Sequence, residues 1–257
     1  MTEYLNGLFS LAGRIAVVTG GSSGIGKAMA GALASAGASV VIVARQTGPL
    51  ELAVAQIRSA SGAAEHVSAD LGDRSAIGAT CERISEPFGP PDILVNAAGV
   101  NIRPPMHELT AKDWDHTIEV NLAAPFLLSQ RFCPDMAARG WGRVINVASQ
   151  QAIRAFGNSG AYGASKGGLV SLTRSQAEAW SGSGVCCNAV APGFVPTTMT
   201  MQLAADPARS AALAARTMIG RNGVPADFEG IVVFLASSAS GYVTGQLICV
   251  DGGFSAS

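Results

Sequence analysis

Short apolar runs recur along the chain, and longer segments of helical character separate them. The runs are continuous rather than alternating, which is typical of strands that are covered on both faces in a parallel sheet. We predict seven strands, at Ile15–Val18, Val40–Val43, Glu65–Val67, Ile93–Val95, Val144–Val147, Val185–Val190 and Leu247–Val250. Alternation of these strands with helices indicates βαβ units and therefore an α/β protein with a parallel sheet.

Right-handed crossovers between such units give a doubly wound, Rossmann-like sheet flanked by helices. The longest predicted helix runs from about Thr110 to Ala138, and we expect kinks or breaks at Pro125 and Pro134. No Pro/Gly/Ser linker divides the chain, so we predict one domain over residues 1–257. The least regular part, residues 194–223, is expected to close over a site.

Composition and charge reduce the number of functional classes to which the protein can belong. The chain has 257 residues, 48% of them hydrophobic and 14% charged, with a net charge of −1. No basic tract is present, so nucleic acid is not an expected partner. The uncharged segments 28–44 and 179–205 are interrupted by glycine or proline, and we expect no membrane span. No signal peptide is indicated, and the five scattered cysteines and three histidines form no disulfide framework or metal site, so we expect a cytoplasmic protein.

A glycine-rich turn follows the first predicted strand, in the segment Thr19–Gly26. Its G-x-x-x-G-x-G spacing lets the backbone approach a pyrophosphate, and the next helix would offer free N–H groups and a positive dipole end. The second strand ends at Ala44 and Arg45, without the acidic residue that favours NAD. Arg45 suits the 2′-phosphate of NADP, although a surface arginine at a strand end is an alternative, and NAD is the alternative cofactor.

Tyr162 and Lys166 stand four residues apart, and Ser149 precedes the tyrosine by thirteen positions. On a helix, positions i and i+4 share a face, so the phenol and the ammonium can lie side by side. A nearby cation lowers the pKa of a phenol, which would make Tyr162 a general acid and base for an alcohol oxygen.

Together these motifs resemble the short-chain dehydrogenase/reductase family over nearly the whole chain. Asn96-Ala97-Ala98-Gly99 resembles the family's Asn-Asn-Ala-Gly, with Ala97 as a departure, and Val250–Gly253 resembles its closing signature. The resemblance implies a catalytic set of Asn121, Ser149, Tyr162 and Lys166. It also implies a cofactor site formed by Gly20, Ser22, Ser23, Gly24, Ile25, Gly26, Arg45, Asp70, Leu71, Asn96, Ala97, Gly99, Tyr162, Lys166, Pro192, Gly193, Val195 and Thr197.

The segments after the fourth and fifth strands should line the substrate pocket, because ligands bind at the carboxyl ends of such sheets. They carry a polar set that suits a small hydroxylated or anionic molecule, namely Asn101, Arg103, Gln150, Gln151, Arg154 and Asn158. Asn101–Pro105 and Ala214–Arg221 also look like the sugar-acid and polyol branch of the family, although these arginines could instead be solvated or bridge subunits.

The resemblance therefore implies an NADP(H)-dependent oxidoreductase for a secondary alcohol and a ketone, acting as a homotetramer on a sugar acid or polyol. Two alternatives remain open, a 3-oxoacyl-carrier-protein reductase and a non-catalytic NADP-binding protein.

Overall fold

The computed structural model describes residues 3–60, 62–201 and 205–256. Within them, seven parallel strands form one sheet in the order β3-β2-β1-β4-β5-β6-β7. The strands are β1 (Ile15–Thr19), β2 (Ser39–Ala44), β3 (Ala63–Ser68), β4 (Ile93–Asn96), β5 (Gly142–Val147), β6 (Val185–Pro192) and β7 (Leu247–Val250). The predicted doubly wound, Rossmann-like fold is confirmed.

Helices cover both faces of this sheet. They are α1 (Glu3–Phe9), α2 (Gly24–Ser35), α3 (Thr47–Ser59), α4 (Ile77–Ser85), α5 (Ala111–Ile118), α6 (Ala124–Ala138), α7 (Gly160–Trp180), α8 (Pro207–Ala215) and α9 (Glu229–Ala236). The apolar sides of α2, α3 and α9 pack on one face, while α4, α6 and α7 pack on the other. Successive residues of β1 accordingly alternate between the two cores, which explains why the strand is apolar without interruption.

The predicted helix over 110–138 contains one irregularity. A π-helical turn, Glu119–Ala123, joins α5 to α6. Pro125 follows this π turn directly. Pro134 causes no break and sits on the exposed face of α6. Helical backbone therefore continues to Ala138, and the expected kink is present only as the π turn before Pro125.

Edge strand β7 differs from the other strands because none of its residues is buried. The centre of the sheet is fully buried, and the chain changes direction there between β1 and β4. Ligands bind at the carboxyl ends of the strands beside such a reversal. No helix within the described ranges is long and apolar enough to cross a membrane.

Candidate active site

A cavity of about 1150 Å³ opens at the carboxyl ends of the central strands. The glycine-rich turn after β1 and the loops after β2 and β3 form one side of it. The loop after β5, the start of α7 and the 194–223 segment form the other side. Residues 202–204 of the predicted closing segment lie outside the described residues, whereas Thr197–Thr200 and one side of α8 border the cavity.

The turn after β1 packs so closely that only glycine fits. A Cβ on Gly26 would lie 2.4 Å from the carbonyl oxygen of Gly20, and one on Gly20 would lie 2.9 Å from the backbone of Ala97. Gly20 (φ +68°) and Gly24 (φ +53°) also adopt the left-handed backbone that side chains disfavour. The N-terminus of α2 borders the cavity here, which gives the cradle and the positive dipole end that a pyrophosphate needs. The site therefore fits a dinucleotide.

The loop after β4 is fixed to this cradle. The Thr19 hydroxyl accepts hydrogen bonds from the backbone N–H groups of Ala97 (3.0 Å) and Ala98 (3.1 Å). Of the predicted cofactor residues, the cavity brings together Gly20, Ser22, Ser23, Gly24, Ile25, Gly26, Arg45, Asp70, Leu71, Ala97, Gly99, Tyr162, Lys166, Pro192, Gly193, Val195 and Thr197.

Asn96 is the predicted cofactor residue that the fold places behind the cavity. It ends β4, is 2% exposed, and donates from Nδ2 to Oδ1 of Asn146 at 2.8 Å. Asn146 in turn donates to Thr173 and Gln176 of α7. The side chain of Asn96 therefore supports α7, the helix that carries Tyr162 and Lys166, through a buried polar network.

The four predicted catalytic residues converge from three elements. Tyr162 and Lys166 lie one turn apart at the start of α7, and Ser149, which follows β5, lines the same cavity and acts to lower the pKa of the phenol. Asn121 lies in the π turn, where its amide binds Val100 in both directions: Oδ1 accepts from the backbone N–H at 2.8 Å, and Nδ2 donates to the carbonyl at 2.9 Å. Asn121 is fully buried, so it lies one layer behind the cavity wall.

Burial controls the two titrating groups. It raises the pKa of Tyr162, while the hydrogen bond with Ser149 and the positive charge of Arg103 act in the opposite direction. Burial also lowers the pKa of Lys166 to about 8. The sequence led us to expect that Lys166 lowers the pKa of Tyr162, but its Nζ donates to the Val147 carbonyl at 2.7 Å and lies 5.8 Å from the tyrosine ring centroid. Desolvation therefore outweighs the opposing effects of Ser149 and Arg103 on the pKa of Tyr162.

Three of the predicted substrate residues, Arg103, Gln150 and Asn158, line the cavity. Arg103 donates from Nη2 to the carbonyl of Gly157 at 2.7 Å and from Nε to that of Asn158 at 3.3 Å, which ties the loop after β4 to the loop after β5. Arg154 does not line this cavity; its guanidinium reaches away and donates to the carbonyl of Ser255 at 2.6 Å.

The sequence analysis did not identify Phe156 and Arg209 as residues that line the cavity. It included Arg216 only within the segment Ala214–Arg221, which resembles the sugar-acid and polyol branch of the family. The rings of Phe156 and Phe254 stack with centroids 5.7 Å apart, and the Arg216 guanidinium lies 4.2 Å from the centroid of Phe254. This planar stack joins three segments that are far apart in the chain. No local sequence pattern predicts this stack, because each contact within it joins residues that are far apart in the chain.

Comparison with known proteins agrees with this geometry. The family model described as "Enoyl-(Acyl carrier protein) reductase" matches residues 20–255. A 2-dehydro-3-deoxy-D-gluconate 5-dehydrogenase of Escherichia coli is 40% identical over 96% of this chain and 97% of its own. A gluconate 5-dehydrogenase of Gluconobacter oxydans is 38% identical over 97% of this chain and 98% of its own.

Among solved structures, a gluconate 5-dehydrogenase from Burkholderia cenocepacia in complex with NADP and tartrate superposes with a TM-score of 0.93. It is 35% identical and covers 98% of this chain and 99% of its own. The chain belongs to the short-chain dehydrogenase/reductase family. It is accordingly an NAD(P)-dependent oxidoreductase that acts on CH–OH groups.

Proposed function

We propose that the protein is an NADP(H)-dependent dehydrogenase whose single domain, residues 1–257, interconverts a secondary alcohol and a ketone on a sugar acid or polyol. One observation carries the proposal. Tyr162 and Ser149 line the same cavity as a glycine cradle for a dinucleotide and as Arg103. The cavity therefore contains a proton-transfer group, a cradle for the cofactor and a cation that can bind an anionic substrate.

The chain's own residues would bind and move the proton. A nicotinamide cofactor, when bound, supplies or accepts the hydride. In reduction, Tyr162 would give its proton to the carbonyl oxygen, and Ser149 would hold that oxygen by hydrogen bonding. In oxidation Tyr162 would take the proton back. Lys166 would hold the cofactor's ribose and favour the phenolate, and Asn121 would connect Lys166 to solvent through a water.

The cofactor preference would rest on the end of β2. Arg45 is exposed at the rim of the cavity, next to Ala44, where an acidic residue would otherwise favour NAD. A guanidinium suits the dianionic 2′-phosphate because it presents several donors in one plane. NADP(H) is therefore the proposed cofactor, and NAD(H) is the alternative.

The substrate side is positively charged. Arg103, Arg209 and Arg216 border the cavity there. Asp70, after β3, is the one carboxylate among the described lining residues, and it lies on the cofactor side. Such a surface favours a small polar anion over a long acyl chain, because an acyl chain binds best in a pocket lined by apolar side chains. The residues proposed to hold the substrate are Arg103, Gln150 and Asn158, and the 194–223 segment is proposed to close over it.

The decisive experiment follows NADPH oxidation with 5-keto-D-gluconate and, for the carrier-protein alternative, with acetoacetyl-coenzyme A. We expect turnover of the keto acid, and we expect Tyr162→Phe to lose about 10³-fold in kcat while it still binds NADPH. Preferential reduction of acetoacetyl-coenzyme A would favour the 3-oxoacyl-carrier-protein reductase. Tight NADPH binding without turnover of either ketone would favour the non-catalytic alternative.

We further propose that the protein is a cytoplasmic homotetramer. Trp114 on α5 and Phe126 on α6 are more than two-fifths exposed, and β7 presents a half-covered edge, so both surfaces offer apolar area to neighbouring subunits. All five cysteines are free, in keeping with a reducing compartment. Light scattering after size-exclusion chromatography should give four chains for the wild type and fewer for Phe126→Asp.

A further inference from the structure

Two amide side chains on the substrate side have no hydrogen-bond partner in the described chain. Oδ1 of Asn101 and Oε1 of Gln150 are buried without a donor, and both residues line the cavity. Gln150 as a whole is only 5% exposed. A buried amide without a partner is costly, so groups of this kind in a native protein usually await a ligand or a bound water.

Both amides are held beside the catalytic residues. Gln150 follows Ser149 directly, and its short helical turn is fixed because the Ser149 hydroxyl accepts a hydrogen bond from the backbone N–H of Gln151 at 3.1 Å. Asn101 follows Val100, whose backbone is bound in both directions by Asn121. Neighbouring Cα atoms are about 3.8 Å apart, so a ligand group that meets Gln150 lies close to the oxygen that Ser149 is proposed to hold.

The chemistry of an amide selects the ligand group. A carboxylate only accepts hydrogen bonds, and an ammonium only donates them, whereas a hydroxyl does both. The terminal torsions of Asn and Gln are roughly two-fold, so a half-turn presents either the oxygen or the nitrogen to a ligand. A hydroxyl satisfies the amide in either orientation. The carboxylate of the substrate would instead bind to the arginines.

We propose that Gln150 and Asn101 form a hydroxyl-recognition subsite that selects substrates with hydroxyl groups on the carbons next to the reacting carbon. The proposal rests on the proposed function and specifies its substrate class as polyhydroxy acids rather than simple keto acids. It makes Gln150 and Asn101 specificity-determining residues, distinct from the cation that binds the carboxylate.

The test compares 5-keto-D-gluconate with 5-oxohexanoate, which keeps the carboxylate and the ketone at the same spacing and lacks every hydroxyl. The measured quantity is the ratio of kcat/KM for the two compounds. In Gln150→Met we expect this ratio to fall about tenfold, because only the hydroxylated substrate loses a hydrogen bond. Asn101→Leu should act in the same direction, and the NADPH KM and the melting temperature of each variant verify that the fold is intact.

Gln246→Met is the matched control. Gln246 is exposed and lies outside the cavity, and its Nε2 donates to the Thr244 carbonyl at 2.9 Å, so this variant should leave the ratio within about twofold. An unchanged ratio in both Gln150→Met and Asn101→Leu, or an equal fall in Gln246→Met, would overturn the subsite while the proposed function stands. A wild type that reduces neither compound would overturn the proposed function together with the subsite.

Discussion

The two sides of the cavity are built differently. On the cofactor side, strand ends and glycines meet at distances that leave no room for a Cβ, and Thr19 ties the loops after β1 and β4 together. On the substrate side, the loops after β4 and β5 and the 194–223 segment are held by arginine-to-carbonyl hydrogen bonds and a planar stack. The shape of the cofactor side is therefore determined by the backbone. The shape of the substrate side is determined by side chains, which substitutions can change.

The largest effect on NADPH affinity should come from filling the cradle. Gly26→Ala places a Cβ 2.4 Å from the Gly20 carbonyl oxygen, so the backbone must move and NADPH affinity should fall about 100-fold. Gly31→Ala in the same helix meets nothing within 4 Å and should bind NADPH as the wild type does, with slightly higher stability. Fluorescence titration with NADPH measures both. Equal affinity of the two variants would contradict a cofactor side fixed by its backbone.

Arg45→Ala tests the one exchangeable part of the cofactor side. We expect the KM for NADPH to rise about 30-fold, because a charge-assisted contact to the 2′-phosphate is lost. The KM for NADH, which lacks that phosphate, should stay within about twofold. Steady-state kinetics with both cofactors and one ketone provide the measurement, and parallel losses for the two cofactors would argue against Arg45 as the NADP determinant.

Lys166 belongs to both the proposed cofactor site and the proposed catalytic set, and Lys166→Met tests how its buried charge affects the stability of the protein. Burial lowers the pKa of Lys166 from its ordinary value of 10.5 to about 8, so its charge opposes folding at neutral pH. After allowance for the lost hydrogen bond to Val147, we expect the cofactor-free variant to be more stable by about 2 kcal/mol and to lack activity. Urea unfolding near pH 7 measures this difference.

The pH dependence of that difference has a definite sign. Below pH 8 the native and unfolded wild type both carry the charged lysine, and the full penalty of burial applies. Between pH 8 and 10.5 the unfolded state binds more protons than the native state, so wild-type stability rises with pH. The advantage of Lys166→Met should therefore shrink across that window, and an advantage that grows there would contradict the lowered pKa.

The smallest effect is expected on the substrate side. Phe254→Leu keeps the buried position apolar but removes the ring on which Arg216 and Phe156 lie. We expect the KM for 5-keto-D-gluconate to rise about fivefold while the KM for NADPH is unchanged. Tyr242→Leu, at a fully exposed aromatic position, serves as the control. A rise in both KM values for Phe254→Leu would show that the two sides are not independent.

For a physical reason, the sequence predicts most of the residues that line the proposed cofactor side of the cavity. Glycine spacing, apolar strands and the Tyr162–Lys166 pair are local patterns, and each follows from backbone geometry over a few residues. The seven strands are found in the structure within a few residues of their predicted bounds. The π turn that carries Asn121 was not predictable, because a rare single turn of five residues is too short to leave a periodic pattern in the sequence.

The substrate side was less predictable. Arg154 carries the same charge as Arg103, and nothing local distinguishes the one that faces the cavity from the one that reaches Ser255. Phe156 resembles any loop aromatic until its partner, about 100 residues later, is known. Asn96 fits a family motif, yet only the packing of β4 against β5 shows that it supports α7 from behind.

The stack of Phe156, Phe254 and Arg216 has a consequence for engineering. Each planar group provides the surface on which the next one lies, so the free-energy effects of substitutions at these positions will not add. A library that varies one of them at a time will record mainly losses, even where a jointly altered trio would accept a different substrate. Redesign of substrate preference should therefore randomise the three codons together.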